Sequence, residues 1–473
     1  MRAEVAPFAV DLLLALAGLG ILLAIGLVPR RPSGVLAALG LAYLTGASVV
    51  PVVLIALVVI GVPFTLEAFG VVVLLCIGAG ALRWRAGPEE RIASREAWWR
   101  KPWRSWSVDA WAAGAFIALF GVFAVVGMLS AFEMPLTVWD AWSIWARKAQ
   151  MLTEHDSLIS GFWSSSSYSW THLDYPILYP VWEALHFRAA GEFDSQAILR
   201  HVWLFLVAFV WAVAFLMRGR VRPVVWAPLL LLAAAAPGVW QQLLTGYADV
   251  PMAIFACLGA MSLALWLSDG DGRFIALATI MLAAAANAKN EGLMVVVALL
   301  LVAGAISVVR RFRLPELLIA SGVVVLSILP WRAWTSVQGI EGDLPISKGI
   351  TDPGYMIDRI DRVWPAIESI GNQLADQAQW LQLLPLAALV VAVSLISAVG
   401  RRVAIFYLAA FAVVWAGLVW SYWISPNPLD WHLGTSANRI VSVLVLICLA
   451  AVVHLSGLLL DALGQRRDDA ASD

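Results

Sequence analysis

The chain has 473 residues, 62% hydrophobic and 13% charged, with a mean hydropathy of +0.84 and a formal net charge of −1. A water-soluble protein of this length cannot hide so much apolar surface in one core, so the composition excludes a soluble enzyme and indicates a polytopic membrane protein. The only cysteines, Cys76, Cys257 and Cys448, all lie inside apolar runs, which suggests neither a disulfide framework nor a thiolate metal site.

A helix needs about 17–25 apolar residues to cross a hydrocarbon core of roughly 30 Å. About thirteen such runs follow one another, at 7–28, 34–60, 62–82, 109–131, 196–217, 223–239, 249–267, 273–288, 292–309, 314–333, 380–399, 403–423 and 439–461. The first carries its basic cluster after the apolar stretch, the reverse of a cleavable signal, and is expected to be a retained span with its N-terminus outside. Arginine-rich connections then recur at every second loop: "RRP" at 30–32, the long 83–104, "RGRVR" at 218–222, "RRFR" at 310–313, "GRR" at 400–402 and the terminal "QRRDD". The turn "SDGDGR" at 268–273 has only Arg273. Because Lys and Arg collect on the cytoplasmic side, the intervening connections 132–195, 241–251, 334–379 and 425–439 are expected outside. Nearly all the unusual polar residues fall in them or at their edges.

In the first long outer connection, "TVWDAWSIWARKAQ" (137–150) places Asp140, Ser143 and Arg147 at i, i+3 and i+7, with Trp139, Trp142 and Trp145 as a neighbouring stripe. This predicts a helix lying along the membrane surface, tryptophans in the interface and charges toward water. Asp140 alone fits an N-cap or an ion-pair partner of Arg147 or Lys148 as well as a reactive carboxylate. Further on, "HLDYPILYPVWEALHF" holds His172, Asp174, Tyr175 and Glu183 on and beyond an irregular lead-in to a helix; His172 and Asp174 suit a metal, a sugar hydroxyl, a cap or Arg147.

"LLTGYADVPMAIF" puts Tyr247 and Asp249 at the mouth of a span, where Asp249 before Val-Pro also reads as an N-cap. "AAAANAKNEGLMVVV" sets Lys289, Asn290 and Glu291 between two apolar runs with hardly a loop. Ionisable groups at that depth face a cavity or pair with each other, here Lys289 with Glu291 or Asp249. "DWHLGTSANRIVSVLV" ends the series with Asp430, His432, Asn438 and Arg439 at the start of the last span. Arg439 can snorkel to lipid phosphate or grip a specific phosphate bidentately.

Together "WDAW", "HLDYP", "GYADVP", "KNEG" and "TSANR" resemble the GT-C glycosyltransferases, in particular the bacterial polyprenyl-phosphate-sugar-dependent branch that includes aminoarabinose and protein O-mannosyl transferases. The resemblance covers roughly residues 109–440 and lies more in arrangement than in individual letters. It implies an all-α, GT-C-like membrane fold with amphipathic juxtamembrane helices on the outer face. The expected organisation is an N-terminal three-span extension and basic loop (1–108), a seven-span catalytic core (109–333), and a long outer loop with three final spans (334–473). The extra N-terminal spans depart from the family pattern; nothing in them looks catalytic.

The resemblance further implies transfer of a sugar from a polyprenyl-phosphate donor to a lipid, glycan or protein acceptor at the outer face of a bacterial cytoplasmic membrane. Asp140 takes the place of the catalytic acid of the first loop and would act as base, with inversion at the anomeric carbon. Lys289, Arg439 and Lys148 would hold the donor phosphate. His172, Asp174, Tyr175, Tyr247, Asp249 and Glu291 would bind sugar or acceptor. Asp140, Asp249 and His172 also offer ligands suited to Mg2+ or Mn2+, and metal dependence stays open. Membrane lipids are expected partners and nucleic acid is not. The alternative is a transporter or flippase of lipid-linked saccharides, for which repeats, broken helices and polar residues near the bilayer midplane would be expected; a non-catalytic scaffold is a further rival.

Overall fold

Lipid offers no hydrogen bonds, so an apolar chain must satisfy its backbone polar groups within itself, and the helix is the way to do so segment by segment. The computed structural model describes residues 2–86, 103–158, 160–195 and 197–472, and among them every regular element is helical. The basic connection expected at 83–104 falls largely outside the described residues.

The long helices are α1 (Arg2–Ala24), α2 (Leu39–Val59), α3 (Leu66–Ala86) and α4 (Val108–Glu133) in the N-terminal part. The first long connection contains two shorter helices, α5 (Arg147–His155) and α6 (Leu178–Ala190). There follow α7 (Ala197–Met217), α8 (Pro223–Ala235), α9 (Pro237–Leu243), α10 (Asp249–Asp269), α11 (Gly272–Ala288), α12 (Asn290–Arg310) and α13 (Leu314–Val337). The second long connection carries α14 (Val363–Ala375), and the chain closes with α15 (Leu383–Ile396), α16 (Arg401–Ile424), α17 (Leu429–Ile440) and α18 (Ser442–Ser472).

Ten stretches among the described residues are long and apolar enough to cross a membrane, the pattern of a multi-pass membrane protein. Each of the thirteen apolar runs is helical, but three fall short of a plain span. The run 223–239 breaks at Pro237 into α8 and α9, bent by 53°. The α11 and α15 helices reach only 17 and 14 residues. For α15 the cause is local: Leu381 and Gln382 before it and Ala398 after it adopt left-handed backbone, which no helix continues through.

The buried apolar side chains form one large continuous cluster that runs from Val10 in α1 to Leu455 in α18. The N-terminal helices belong to it, with α2 packed on α7 and α11, and α1 on α6.

The polar residues sort to two ends. At one end Arg30 reaches the backbone of Arg83, Arg273 that of Gly26 and Arg313 that of Gly270, while Arg220 pairs with Asp269 and Arg222 with Asp109. The basic connections at 30–32, 218–222, 268–273 and 310–313 therefore gather at one end, as alternation along the chain requires. At the other end of α10, about 30 Å away for 21 residues, Asp249 meets Lys289.

Candidate functional site

The chain leaves α4 at Met134 and enters not an α-helix but a π-helical turn, Ala141–Ala146, which passes directly into α5. The expected i, i+3, i+7 face is thereby lost, because the wider turn shifts every later side chain backward in phase. Trp139 stays 58% exposed and packs edge-on against Trp142, but Trp145 is 1% exposed and lies against Tyr175 and Tyr179. The three tryptophans are not one interfacial stripe. Lys148 is likewise buried rather than turned to water, and donates to the carbonyl of His172.

Asp140 precedes the π turn without capping it, its backbone already helical. It pairs with neither Arg147, which donates to Gln150, nor Lys148. Instead its Oδ2 accepts from Nη1 of Arg439 at 2.6 Å, joining the first long connection to the entrance of the last span. The Arg439 guanidinium stacks 4.3 Å over the ring of Tyr247. Gly246, at φ +78°, turns the chain there, a backbone conformation that favours glycine; a Cβ would meet only the movable end of the Leu136 side chain, at 2.6 Å.

Asp249 begins α10 but does not act as its cap. Its carboxylate accepts from Lys289 at 2.7 Å, and the same ammonium lies 3.1 Å from Glu291. Lys289 is the single non-helical residue between α11 and α12, in extended backbone at φ −158°. The corner is tight because Gly292 packs against α11: a Cβ on it would stand 2.0 Å from the Ala285 carbonyl oxygen. Direct pairing of Lys289 with both acids, one of the two readings open from sequence, is what the structure holds. Asp140, Tyr247, Asp249, Lys289, Glu291 and Arg439 thus come from four separate parts of the chain into one group.

A second group adjoins it through Asn290. Asn290 donates to Asp174 at 2.7 Å and accepts from Arg332. Asp174 also receives the backbone amide of Asp343, and its own carbonyl takes the Trp331 indole hydrogen. His172 pairs with Asp343, its ring stacked on Tyr175, and adopts left-handed backbone at φ +51°. Burial, and then the charge of Asp343, push the Asp174 carboxyl up to about 6; burial pushes the Lys148 ammonium down to about 7 against the pull of Asp174 and Asp343. Lys148 belongs to this second group and not with Lys289 and Arg439, where the phosphate assignment had put it. Arg332 and Asp343 were missed by sequence reasoning, although an arginine near the end of an apolar run, in "LPWRAW", is a usable signal.

Glu183 lies apart from both groups. It is fully buried, neither carboxylate oxygen has a partner, and burial holds the carboxyl well above its ordinary range.

In and around the two groups, Nε of Arg439, Oε2 of Glu291, Nδ1 of His432 and Oδ1 of Asp174 are buried without a partner in the protein, as are polar atoms elsewhere in the chain, and are free to accept or donate to polar groups from outside. A cavity of about 490 Å3 opens between α9, α14 and α17, lined by Gln241, Gln242, Thr245, Gln373, Gln379 and Asn438 among others; none of the residues of the two groups is in its lining. Asp140, Asp249 and His172 do not form a metal ligand set, because each is held by a different partner: Arg439, Lys289 and Asp343. Among the described residues, the one group of three ligands close enough for an ion is Asp11, His186 and His201.

Comparison with family models, with curated proteins and with solved structures finds no match to this chain. The site's own geometry and chemistry are what any functional reading has to rest on.

Proposed function

We propose that the chain is an integral-membrane glycosyltransferase that moves a sugar from a polyprenyl-phosphate donor to an acceptor at the membrane face bearing Asp140 and Arg439. The observation that carries the reading is the contact between these two residues: a carboxylate suited to take a proton and a guanidinium suited to hold a phosphate share one half-buried site. The unsatisfied Nε of Arg439 offers a second donor for a bidentate phosphate contact.

When the donor phosphate binds, Arg439 turns from Asp140 to the phosphate, with Lys289 adding positive charge behind it. Asp140, released, accepts the proton of the acceptor hydroxyl. The acceptor oxygen attacks the anomeric carbon, the bond from that carbon to the phosphate oxygen breaks, and its electron pair leaves on the polyprenyl phosphate. Attack opposite the phosphate inverts the anomeric centre. Growing charge on the leaving phosphate is what Arg439 and Lys289 stabilise more strongly in the transition state than before it. Asp174, Tyr247 and the amide-lined cavity provide hydrogen-bonding groups for sugar and acceptor hydroxyls.

In this reading α11, α15 and the bent α8–α9 pair also count as crossings, giving thirteen. The basic end then faces the cytoplasm of a bacterial inner membrane and the Arg439 end faces outward.

A transporter or flippase of lipid-linked saccharides is the second reading, favoured by the 53° break between α8 and α9, since broken helices commonly border transport sites. Incubation of the purified protein in lipid with polyprenyl-phosphate sugars separates the two. Stoichiometric release of polyprenyl phosphate with a glycosylated acceptor supports the transferase. Movement of intact donor between leaflets without release contradicts it.

A further inference from the structure

The three N-terminal helices contribute no residue to the groups around Arg439 and Asp174, yet the first carries a carboxylate inside its apolar stretch. Asp11 is 6% exposed. Its carboxylate meets side chains from three other helices: the Tyr43 hydroxyl at 3.1 Å and His186 Nε2 at 3.1 Å on Oδ1, and His201 Nδ1 at 2.6 Å on Oδ2. Both imidazoles are buried, with ring centroids 4.4 Å apart. One ligand atom from each of Asp11, His186 and His201 lies within 4.8 Å of the others. An ionised carboxylate so placed is costly unless a cation accompanies it.

The hydrogen inventory narrows the choice of cation. His186 Nδ1 lies 2.8 Å from the carbonyl oxygen of Trp182, which can only accept, so the ring hydrogen sits on Nδ1. In a neutral imidazole that leaves Nε2 as a lone pair facing Asp11 Oδ1, itself an acceptor. Two acceptors at 3.1 Å need something between them, either a proton carried by the ring or the carboxyl, or a metal ion. A histidine that donates its far nitrogen to a backbone carbonyl while its near nitrogen faces a carboxylate has the outer hydrogen bond that orients metal ligands, and the Tyr43 hydroxyl orients the carboxylate similarly.

We propose that Asp11, His186 and His201 form a Zn2+ site that ties the first helix to α6 and α7. Two imidazole nitrogens and one carboxylate oxygen, with no sulfur, suit zinc among the first-row metals. Ligand atoms around a tetrahedral zinc with bonds of about 2.0–2.2 Å stand roughly 3.3–3.5 Å apart. Asp11 offers Oδ1 to His186 at 3.1 Å and Oδ2 to His201 at 2.6 Å, so the carboxylate turns one oxygen toward both imidazoles when the ion enters; the three ligand atoms, all within 4.8 Å of one another, close on it by shifts of about 1–1.5 Å, and a water completes the tetrahedron. The site lies outside the Arg439 group and does not depend on the transferase reading. It gives the N-terminal extension a definite structural role, because the ion fixes α6, which begins four residues after Asp174.

The test uses the full chain, purified in lipid nanodiscs through a tag that binds no metal. Its metal content is measured by mass spectrometry and its zinc-edge X-ray absorption recorded. The expected result is about one zinc per chain with two imidazole nitrogens in the first shell. Zinc content should fall at least tenfold in His201→Asn and Asp11→Asn and stay unchanged in His155→Asn, whose side chain is exposed. Chelation should lower the wild-type melting temperature and added ZnCl2 restore it. A wild-type protein that holds no zinc and is unmoved by ZnCl2 overturns the site in favour of a proton between His186 and Asp11, as does zinc retained in the two ligand variants. Should those variants fail to fold, the wild-type spectrum decides: absence of imidazole ligation rejects the proposal.

Discussion

Asp140 and Arg439 are separated by 299 positions in the chain and joined by a 2.6 Å contact. The guanidinium rests at the same time on the face of Tyr247, which holds it beside the carboxylate. Replacing Asp140 by Asn keeps the size and most of the contact but removes the carboxylate proposed as the base. Sugar transfer should drop about 100-fold or more, in line with the usual contribution of a general base, while the melting temperature stays within a few degrees. Near-normal turnover would take Asp140 out of the role. Arg439→Ala should raise the donor KM at least about tenfold, the loss expected when a charged phosphate contact is removed; an effect confined to the acceptor KM would contradict the phosphate assignment.

The pair of Lys289 and Asp249 is buried on both sides. Removing Lys289 strands the buried Asp249 and, beside it, the more exposed Glu291, which costs roughly 3–5 kcal/mol in a site of this kind, whereas removing Asp249 as well leaves only Glu291 without its partner and costs less. Lys289→Met should therefore destabilise the protein more than the double variant Lys289→Met with Asp249→Leu. A denaturation series in detergent on the single and double variants reads the coupling. Additive losses would show that the two charges do not stabilise one another.

Asp174 and Lys148 predict a stability profile with two opposite limbs. The folded Asp174 carboxyl titrates near 6 against an ordinary value of 3.8. Between those values the folded chain keeps a proton that the unfolded chain has lost, so stability falls as pH rises through that window. The folded Lys148 ammonium titrates near 7 against 10.5, and between those values the unfolded chain holds the extra proton, so stability rises with pH there. Each limb has a slope of at most about 1.4 kcal/mol per pH unit. Compared with wild type in melting scans from pH 4 to 10, Asp174→Asn should flatten the acid limb and, by removing a charge that holds the Lys148 proton, extend the alkaline limb downward, while Lys148→Met should flatten the alkaline limb and extend the acid limb upward. Unchanged profiles in both would contradict the assignment.

Gly292→Ala puts a methyl group against the Ala285 carbonyl oxygen, a backbone atom with no freedom to step aside. The α11–α12 corner must open, at a cost of about 1–3 kcal/mol, and Lys289 must shift with it. A lower melting temperature together with weaker donor binding is expected; a melting temperature equal to wild type would mean that the corner has slack. Gly304→Ala, in the same helix with its nearest neighbour at 3.8 Å, serves as the control.

The apolar helices were legible because apolar length is a strong local signal: every one of the thirteen runs is helical, ten of them long enough to cross a membrane, and the connections at 30–32, 218–222, 268–273 and 310–313 come together at one end. The breaks were less so. Pro237 splits one run, and left-handed backbone at Gln382 and Ala398 trims another, events decided by a few residues inside otherwise uniform hydrophobicity. In the site, Asp249, Lys289 and Glu291 could be suspected of pairing because they sit where bare charge is expensive. The partner of Asp140 could not be found that way, since a contact across 299 residues leaves no periodicity to read. Asp11 was not singled out from the sequence, because its meaning depends on His186 and His201, which look like ordinary helix residues until α1, α6 and α7 are packed.

The π turn at Ala141–Ala146 has a consequence for how the chain tolerates change. Its wider winding amounts to one surplus residue in an otherwise α-helical stretch. A turn of this kind carries the extra residue while leaving the flanking segments near their original phase, so deleting one residue would restore regular winding with Asp140 and α5 still in register, whereas inserting one more would turn Asp140 by about 100° relative to α5. Trp145 and Lys148 are clamped in the protein and hold α5 in place, so that rotation would fall on the upstream side and carry the carboxylate away from Arg439. Insertions in this stretch should therefore be far less tolerated than a single deletion, or than substitutions of its exposed Trp139 or Trp142.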